Sequence, residues 1–157
     1  MRRTCMARLT WSARNTVLGI SIVLAAGASL LGAACGKPAA TPVPSTEVNV
    51  GLADYSITPV PASVSAGQVT FIAKNTAAQE HEVVIIKTGL APNALKMKSS
   101  VSEVDEEASG QTIGEVDDVE AGETKRGTFQ LAAGKYVLFC NLTGHYKQGM
   151  TTAFEVK

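Results

Sequence analysis

Hydrophobic and polar residues alternate along much of the chain after residue 47, which is the pattern of β-strands that bury one face. In the first run, Val48, Val50 and Leu52 fall on one side, with Asn49 and Gly51 on the other. Comparable runs, rich in β-branched and aromatic residues, predict strands at 47–57, 68–75, 82–88, 112–119, 124–131, 134–140 and 151–157. Ala-Gly-polar triplets at 66–68, 121–123 and 133–135 precede strands and supply turns. The pattern predicts an all-β domain, a sandwich or barrel, with at most one short helix within 90–100.

The first 34 residues have a different pattern, in which positive charge is followed by an uncharged apolar stretch. Arg2, Arg3, Arg8 and Arg14 precede residues 16–34, a run of 19 residues without a charge. This order is typical of an export signal, and the run is almost long enough to span a bilayer. We therefore expect residues 1–34 to be an export signal or an uncleaved N-terminal membrane anchor that leaves the rest of the chain outside.

Residues 31–36 (LGAACG) resemble the lipobox of bacterial lipoproteins, in which the cysteine thiol takes the lipid. Gly32 stands where the lipobox usually has leucine, and Leu31 comes one residue too early. Lipidation of Cys35 and ordinary cleavage after Ala28 are both compatible with this segment. Three prolines in residues 37–46 predict an extended tether at 35–46, followed by one domain at 47–157.

Net charge divides the chain in the same way. The whole sequence is neutral, with 14 basic and 14 acidic residues, but the leader holds four of the bases and none of the acids, which leaves the remainder at −4. No basic stripe is present, so we expect no binding to nucleic acid. Nine acids stand in residues 103–123 without a lysine or arginine. We interpret them as an exposed loop and strand face, with a docking patch for a cationic partner or a weak calcium site as alternatives.

Near the C-terminus, a predicted strand ends in the spacing C-x4-H-x4-M, formed by Cys140, His145 and Met150. His81, the other of only two histidines in the chain, precedes the strand at 82–88. Cys140 has no evident disulfide partner, because the other two cysteines fall in the leader and at the processing site. A thiolate, two imidazoles and a thioether are the ligands of a trigonal copper site with a long axial methionine. The sequence therefore predicts one copper ion held by these four side chains.

Each of these four residues has an ordinary explanation when taken alone. Cys140 could be a small buried hydrophobe, His145 a loop histidine, Met150 a core residue, and His81 the partner of a neighbouring carboxylate. The conjunction favours a metal site, since both histidines and the domain's one cysteine fall into a single ligand pattern.

At these residues the sequence resembles the cupredoxins, the small blue copper proteins, and its C-x4-H-x4-M loop is similar to the rusticyanin and sulfocyanin kind. The resemblance runs from about residue 48 to residue 157 and includes the segments 50–57 (VGLADYSI) and 67–71 (GQVTF). It implies a Greek-key β-sandwich of about seven to eight strands, with His81, Cys140 and His145 as equatorial copper ligands and Met150 as the axial one. Glu82 stands where relatives often have Asn, Ser or Asp, whose side chain ties the two ligand loops together, and so its role is open.

The function that this resemblance implies is outer-sphere transfer of single electrons by a type 1 copper ion that cycles between Cu(I) and Cu(II). His145 would face solvent through an apolar patch where partners dock, with Leu90 and Pro92 as candidate neighbours. We expect a monomer with transient partners, such as cytochromes or respiratory complexes. Its expected location is the outer face of the bacterial cytoplasmic membrane or the periplasm.

Other functions fit part of the pattern. An extracytoplasmic copper chaperone or storage protein would bind the same ion, but such proteins usually carry an exposed Met- or His-rich tract, and the domain has only Met97 and Met150. A thiol hydrolase needs a setting that lowers the pKa of its cysteine, whereas Cys140 follows a strand, and we therefore expect no enzyme. A binding module that has lost its metal is disfavoured because all four ligands remain. Asn141 begins a glycosylation sequon, which we expect to stay unmodified behind a bacterial leader.

Overall fold

The computed structural model describes residues 45–157. The predicted signal or anchor at 1–34, the candidate lipidation site Cys35 and all but the end of the tether lie outside the described residues. Within residues 45–157, no helix combines the length and the apolar character needed to cross a membrane. The first strand begins at Thr46, beside the predicted domain boundary at residue 47.

Nine strands and one short helix are formed within residues 45–157. The strands are β1 (Thr46–Ala53), β2 (Ser56–Val60), β3 (Ser63–Val64), β4 (Gly67–Asn75), β5 (His81–Lys87), β6 (Gln111–Val119), β7 (Thr124–Leu131), β8 (Gly134–Phe139) and β9 (Thr151–Val156). The helix is α1 (Glu106–Ser109), and single 3₁₀ turns lie at Pro92–Ala94 and Tyr146–Gln148.

The strands form two sheets that share one hydrophobic core. One sheet has the order β2-β1-β4-β7 and the other the order β3-β9-β8-β5-β6. β1 and β4 pair in parallel, whereas β4 with β7 and β5 with β8 pair in antiparallel fashion. The chain changes sheet five times, between β2 and β3, β3 and β4, β4 and β5, β6 and β7, and β7 and β8, which gives a Greek-key order. The predicted Greek-key β-sandwich is confirmed.

The strand predicted at 47–57 is two strands in the structure, β1 and β2, joined by a tight turn at Asp54 and Tyr55. Ala53 pairs with Ser56 across this turn. Tyr55 has a φ of 60°, a left-handed conformation that few residues other than glycine adopt. The sequence marks this turn only weakly: the apolar positions shift from Val48, Val50 and Leu52 to Tyr55 and Ile57, but neither turn residue is glycine or proline, the strongest turn markers.

The segment 90–100, where the sequence predicted at most one short helix, forms no α-helix. Only the 3₁₀ turn Pro92–Ala94 forms there, and beyond it Met97 makes an antiparallel bridge with Val104, which requires extended backbone. The helix lies later, at α1, where the Asp105 side chain accepts a hydrogen bond from the Ala108 N–H and caps the first turn.

Hydrophobic clusters cover both faces of the five-stranded sheet. The larger cluster lies between the two sheets and includes Phe71, Leu138 and Cys140. The smaller cluster lies on the other face, where the crossing segment, residues 88–110, packs Leu95 and Val104 against β5 and β8. β5 is therefore buried on both faces along nearly its whole length. This burial makes β5 and β8 a rigid base for the side chains at their ends.

The acidic run at 103–123 includes α1, the edge strand β6 and the turn into β7. None of its nine carboxylates is fully buried, as expected for a solvated face. Glu103 pairs with Lys98 at 3.0 Å. On β6, the charges of Asp117 and Asp118 lie close enough to raise the pKa of Glu115. A role of this run in docking stays a prediction.

Replacing Glu115 with glutamine is expected to stabilise the metal-free protein at neutral pH but not in acid. Partial burial, followed by the charges of Asp117, Glu106 and Asp118, raises the pKa of Glu115. A carboxyl whose pKa is raised in the folded state contributes stability below its ordinary pKa and loses it as the pH rises through the raised value. We expect Glu115→Gln to gain no more than about 1 kcal/mol in the free energy of unfolding at about pH 7, and nothing at about pH 3.

Urea unfolding at the two pH values measures this effect. Glu155→Gln, which removes an exposed carboxylate on β9, is the matched control and should change little at either pH. A gain for Glu115→Gln of equal size at both pH values would contradict the electrostatic explanation and point to packing.

Candidate metal centre

Antiparallel pairing of β5 with β8 brings the two ligand-bearing strands to one end of the sandwich. His81 is the first residue of β5, and Cys140 directly follows β8. Because Val84 pairs with Phe139, the start of β5 and the end of β8 meet at the same edge. The loop between β8 and β9 then carries His145. Sheet pairing thus joins two histidines that are 64 residues apart in the chain.

Three of the four predicted ligands direct donor atoms at a common centre. Nδ1 of His81 lies 3.2 Å from Nδ1 of His145 and 4.0 Å from Sγ of Cys140. Nδ1 of His145 lies 3.4 Å from Sγ of Cys140, so the three atoms form a triangle. A point equidistant from the corners of such a triangle lies about 2.1 Å from each, close to the bonds of about 2.0–2.3 Å that imidazole nitrogen and thiolate sulfur make to metals such as zinc. His81 and Cys140 are fully buried, and His145 is 9% exposed.

The chemistry of these donors fits copper. The two facing ring nitrogens are too close for both to carry a proton, so at least one lone pair points into the centre. A trigonal set of two imidazoles and a thiolate, completed by a weak thioether, is the set that proteins use for type 1 copper. Among residues 45–157, His81, Cys140 and His145 are the one group of three His, Cys, Asp or Glu side chains placed to share a metal ion.

Met150 is fixed beside the other candidate ligands by backbone hydrogen bonds. Its carbonyl accepts a hydrogen bond of 3.1 Å from the Cys140 N–H, and its own N–H donates to the His145 carbonyl at 3.2 Å. The Met150 side chain is fully buried. The structure therefore brings all four predicted residues together, and the role of each as a ligand is a prediction that copper loading can test.

Burial controls the protonation of the centre. It raises the pKa of the Cys140 thiol to about 11, so the metal-free protein holds a neutral thiol that must lose its proton when a metal ion binds. Burial and the nearby His145 lower the pKa of His81, which keeps that ring neutral and able to bind a metal. A thiol with so high a pKa is a poor nucleophile, which disfavours the thiol-hydrolase alternative.

Glu82 ties the two ligand-bearing segments together, which answers the question that the sequence left open. Its carboxylate accepts a hydrogen bond of 2.7 Å from the backbone N–H of Asn141. The bond links the residue after His81 to the residue after Cys140. Burial raises the pKa of Glu82 to about 7, while the Asn141 N–H acts in the opposite direction. The glutamate thus makes the link between the two segments that the family resemblance assigns to a shorter polar side chain at this position.

The crossing segment also holds the ligand loop, residues 140–150, through contacts that the sequence did not reveal. Oδ1 of Asn141 accepts a hydrogen bond of 2.6 Å from the Val104 N–H, while its Nδ2 donates to the Val104 carbonyl and the Glu106 carboxylate. The Tyr146 hydroxyl donates to the Pro92 carbonyl at 2.8 Å. These partners are at least 35 residues apart in the chain, beyond any local pattern. Further hydrogen bonds join Gly144 and Lys147 to Ser102, and Thr143 to Glu103.

His145, the most exposed of the four residues, has Tyr55 as its aromatic neighbour. The ring centroids lie 6.0 Å apart with the planes at 89°, and Tyr55 is 37% exposed. Leu90 and Pro92, the neighbours expected from the sequence, line a groove along β8 and β9 that His145 does not border. They lie there because the chain after β5 turns across the outer face of the sheet. Tyr55 was missed because its turn is 90 residues away in the sequence.

Known proteins share both the fold and the sequence pattern of this chain. The family model for the Sulfocyanin (SoxE) domain matches residues 49–156, more than half of the chain. No curated protein matches the chain significantly.

Three solved auracyanins share the fold. Auracyanin B has a TM-score of 0.57 and 22% identity, over 74% of this chain and 92% of its own. Auracyanin A, described as a "blue" copper protein from the green thermophilic photosynthetic bacterium Chloroflexus aurantiacus, has a TM-score of 0.54 and 25% identity, over 73% of this chain and 100% of its own. Dithionite-reduced auracyanin from Roseiflexus castenholzii has a TM-score of 0.52 and 22% identity, over 72% of this chain and 98% of its own. With this fold, four clustered candidate ligands and the family match over residues 49–156, the chain belongs to the sulfocyanin domain family of the cupredoxins, the blue copper proteins.

Proposed function

We propose that this chain is an exported, mononuclear type 1 copper protein that carries single electrons between redox partners. The observation that carries the proposal is the buried triangle of two imidazole nitrogens and one thiol sulfur, with sides of 3.2–4.0 Å, built on two paired strands. The blue copper protein auracyanin A, 25% identical, supports the choice of metal. Bound at this centre, a copper ion would supply a one-electron Cu(I)/Cu(II) couple.

The residues around the centre suit electron transfer because they resist rearrangement. The ligand loop is bonded to the crossing segment and to Glu82, and its two ends are joined by the hydrogen bond from Cys140 to Met150. Ligands that are held by other parts of the fold present nearly the same geometry to both oxidation states. The complete burial of His81 limits access of water to the centre.

Electrons would enter and leave the protein at His145. His145 is 9% exposed, and the exposed Tyr55 ring packs beside it, which together provide a small aromatic contact surface. We expect a monomer that docks transient partners here, such as cytochromes or respiratory complexes, since a carrier must release each partner quickly. The leader at 1–34 would export the domain, and an uncleaved anchor or a lipid on Cys35 would tether it to the outer face of the membrane.

An extracytoplasmic copper chaperone is the second candidate, since it would bind the same ion. Within residues 45–157 the methionines are Met97 and Met150, of which Met97 packs against the outer hydrophobic cluster and Met150 is fully buried. The burial of the centre and the hydrogen bonds that hold the ligand loop favour a carrier, which keeps its ion through the redox cycle, over a chaperone. The same burial disfavours binding of a substrate at the centre, and we therefore propose an electron carrier rather than an enzyme.

Copper loading followed by voltammetry distinguishes the carrier from the chaperone. The purified full-length protein is expected to take up one equivalent of Cu(II), to absorb visible light intensely, and to cycle reversibly as a one-electron couple. The zinc-loaded protein is the control and should be colourless and electrochemically silent. Loss of copper on each reduction would support the chaperone, and a colourless copper complex would refute the type 1 site.

A further inference from the structure

The second ring nitrogen of His81 lacks a partner. With Nδ1 facing the metal centre, Nε2 carries the proton of the neutral ring. Nε2 is buried, and among residues 45–157 it is the one buried side-chain nitrogen or oxygen atom without a hydrogen-bond partner. Metal-binding histidines almost always donate their other N–H to a carboxylate, a carbonyl or water. The geometry therefore calls for an acceptor on this side of the ring.

Asp54 carries the one carboxylate of the described residues within 4.0 Å of that nitrogen. Its Oδ1 lies 3.9 Å from Nε2 of His81. That distance is too long for a hydrogen bond, and a shift of about 1 Å would bring it into the usual range. The Asp54 side chain is 54% exposed and forms no other ion pair within residues 45–157, so it is free to make this shift.

The turn that carries Asp54 is held close to the segment that leads into His81. The carbonyl of Leu52 accepts hydrogen bonds from both the N–H and the hydroxyl of Thr76, at 2.8 and 3.0 Å. On its other side the turn packs Tyr55 against the ring of His145. A single hairpin turn therefore borders both histidines of the centre.

We propose that Asp54 is a positioning residue of the copper centre, whose carboxylate accepts the Nε2–H of His81 and whose negative charge favours Cu(II) over Cu(I). The hydrogen bond fixes the ring with Nδ1 toward the metal. The charge stabilises the more positive oxidation state, and water around the exposed carboxylate keeps this effect moderate. The proposal depends on the copper function proposed above.

Two substitutions separate the charge from the hydrogen bond in the copper-loaded, full-length protein. Asp54→Asn removes the charge and keeps an acceptor oxygen, whereas Asp54→Ala removes both. In each variant we expect the equilibrium constant for reduction to rise severalfold, up to about tenfold, which is about 59 mV for one electron. In the diamagnetic Cu(I) form, exchange of the His81 Nε2–H with solvent, measured by NMR, should accelerate in Asp54→Ala and stay slow in Asp54→Asn.

Glu155→Gln is the matched control, since it removes one exposed carboxylate on β9 and should leave both readouts unchanged. Thermal unfolding of the metal-free variants checks that all are folded. If the wild type forms a blue copper complex and both Asp54 variants keep its reduction potential, this inference alone is overturned. An equal shift in Glu155→Gln, or unchanged exchange in Asp54→Ala, would also overturn it. A wild type that forms no blue copper complex would overturn the proposed function and this inference with it.

Discussion

Replacing Cys140 with serine is expected to abolish the intense visible absorption of the copper-loaded protein. The absorption of a type 1 site arises from charge transfer between the cysteine thiolate and Cu(II), and a serine hydroxyl cannot supply it. Copper affinity should also fall by more than about 100-fold, since the loss of a residue that only orients a ligand costs about 10- to 100-fold. Absorption spectroscopy during a copper titration measures both effects.

Cys35→Ser provides a matched control for this experiment. It makes the same chemical change at a cysteine of the predicted processing site, and it should leave the colour and the copper affinity unchanged. A Cys140→Ser protein that stays blue, or a Cys35→Ser protein that loses its colour, would refute the assignment of the thiolate to Cys140. The contrast also excludes a general effect of removing a thiol from the chain.

Local patterns were sufficient to predict an all-β domain and the four candidate ligands, whereas the choice of a Greek-key sandwich over a barrel came from the family resemblance. Alternation of hydrophobic and polar residues predicts strands one at a time, and β7 at Thr124–Leu131 matches its predicted bounds. The spacing from Cys140 to Met150 predicts a ligand loop because a short loop can bring these side chains around one ion. His81 joins this prediction by its residue type, as the other of the two histidines, and the pairing of β5 with β8 is what brings it beside the loop.

The features that the sequence did not reveal depend on contacts between distant parts of the chain. Asn141 looks like a sequon residue in the sequence, yet its side chain bonds to Val104, 37 residues away. Glu82 reaches Asn141 across 59 residues. Nothing local indicates these partners, because they are set by how the crossing segment lies on the sheet. The candidate ligands are therefore predictable from residue types, whereas the residues that orient them become visible only in the fold.

Replacing Phe71 with alanine is expected to cause the largest loss of stability, because this ring joins the two sheets. Phe71 lies on β4 and is fully buried. Its ring centroid lies 5.4 Å from that of Phe154 on β9, in the other sheet, and 6.2 Å from that of Phe129 on β7. Removing a buried phenylalanine side chain leaves a cavity and costs about 3–5 kcal/mol. Domains of this size are stable by about 5–15 kcal/mol, so the variant should be marginal.

Urea unfolding of the metal-free protein measures the loss, and copper must be absent because a ligand bound only to the folded state adds its own stability. Val101→Ala is the control, since Val101 is 43% exposed and its truncation should change the free energy of unfolding by less than about 0.5 kcal/mol. Phe71→Leu should cost less than Phe71→Ala, because leucine fills part of the cavity. If Phe71→Ala cost no more than the control, the ring would not be holding the sheets together. The rigidity that we attribute to the ends of β5 and β8 would then have to come from the outer cluster and the crossing segment.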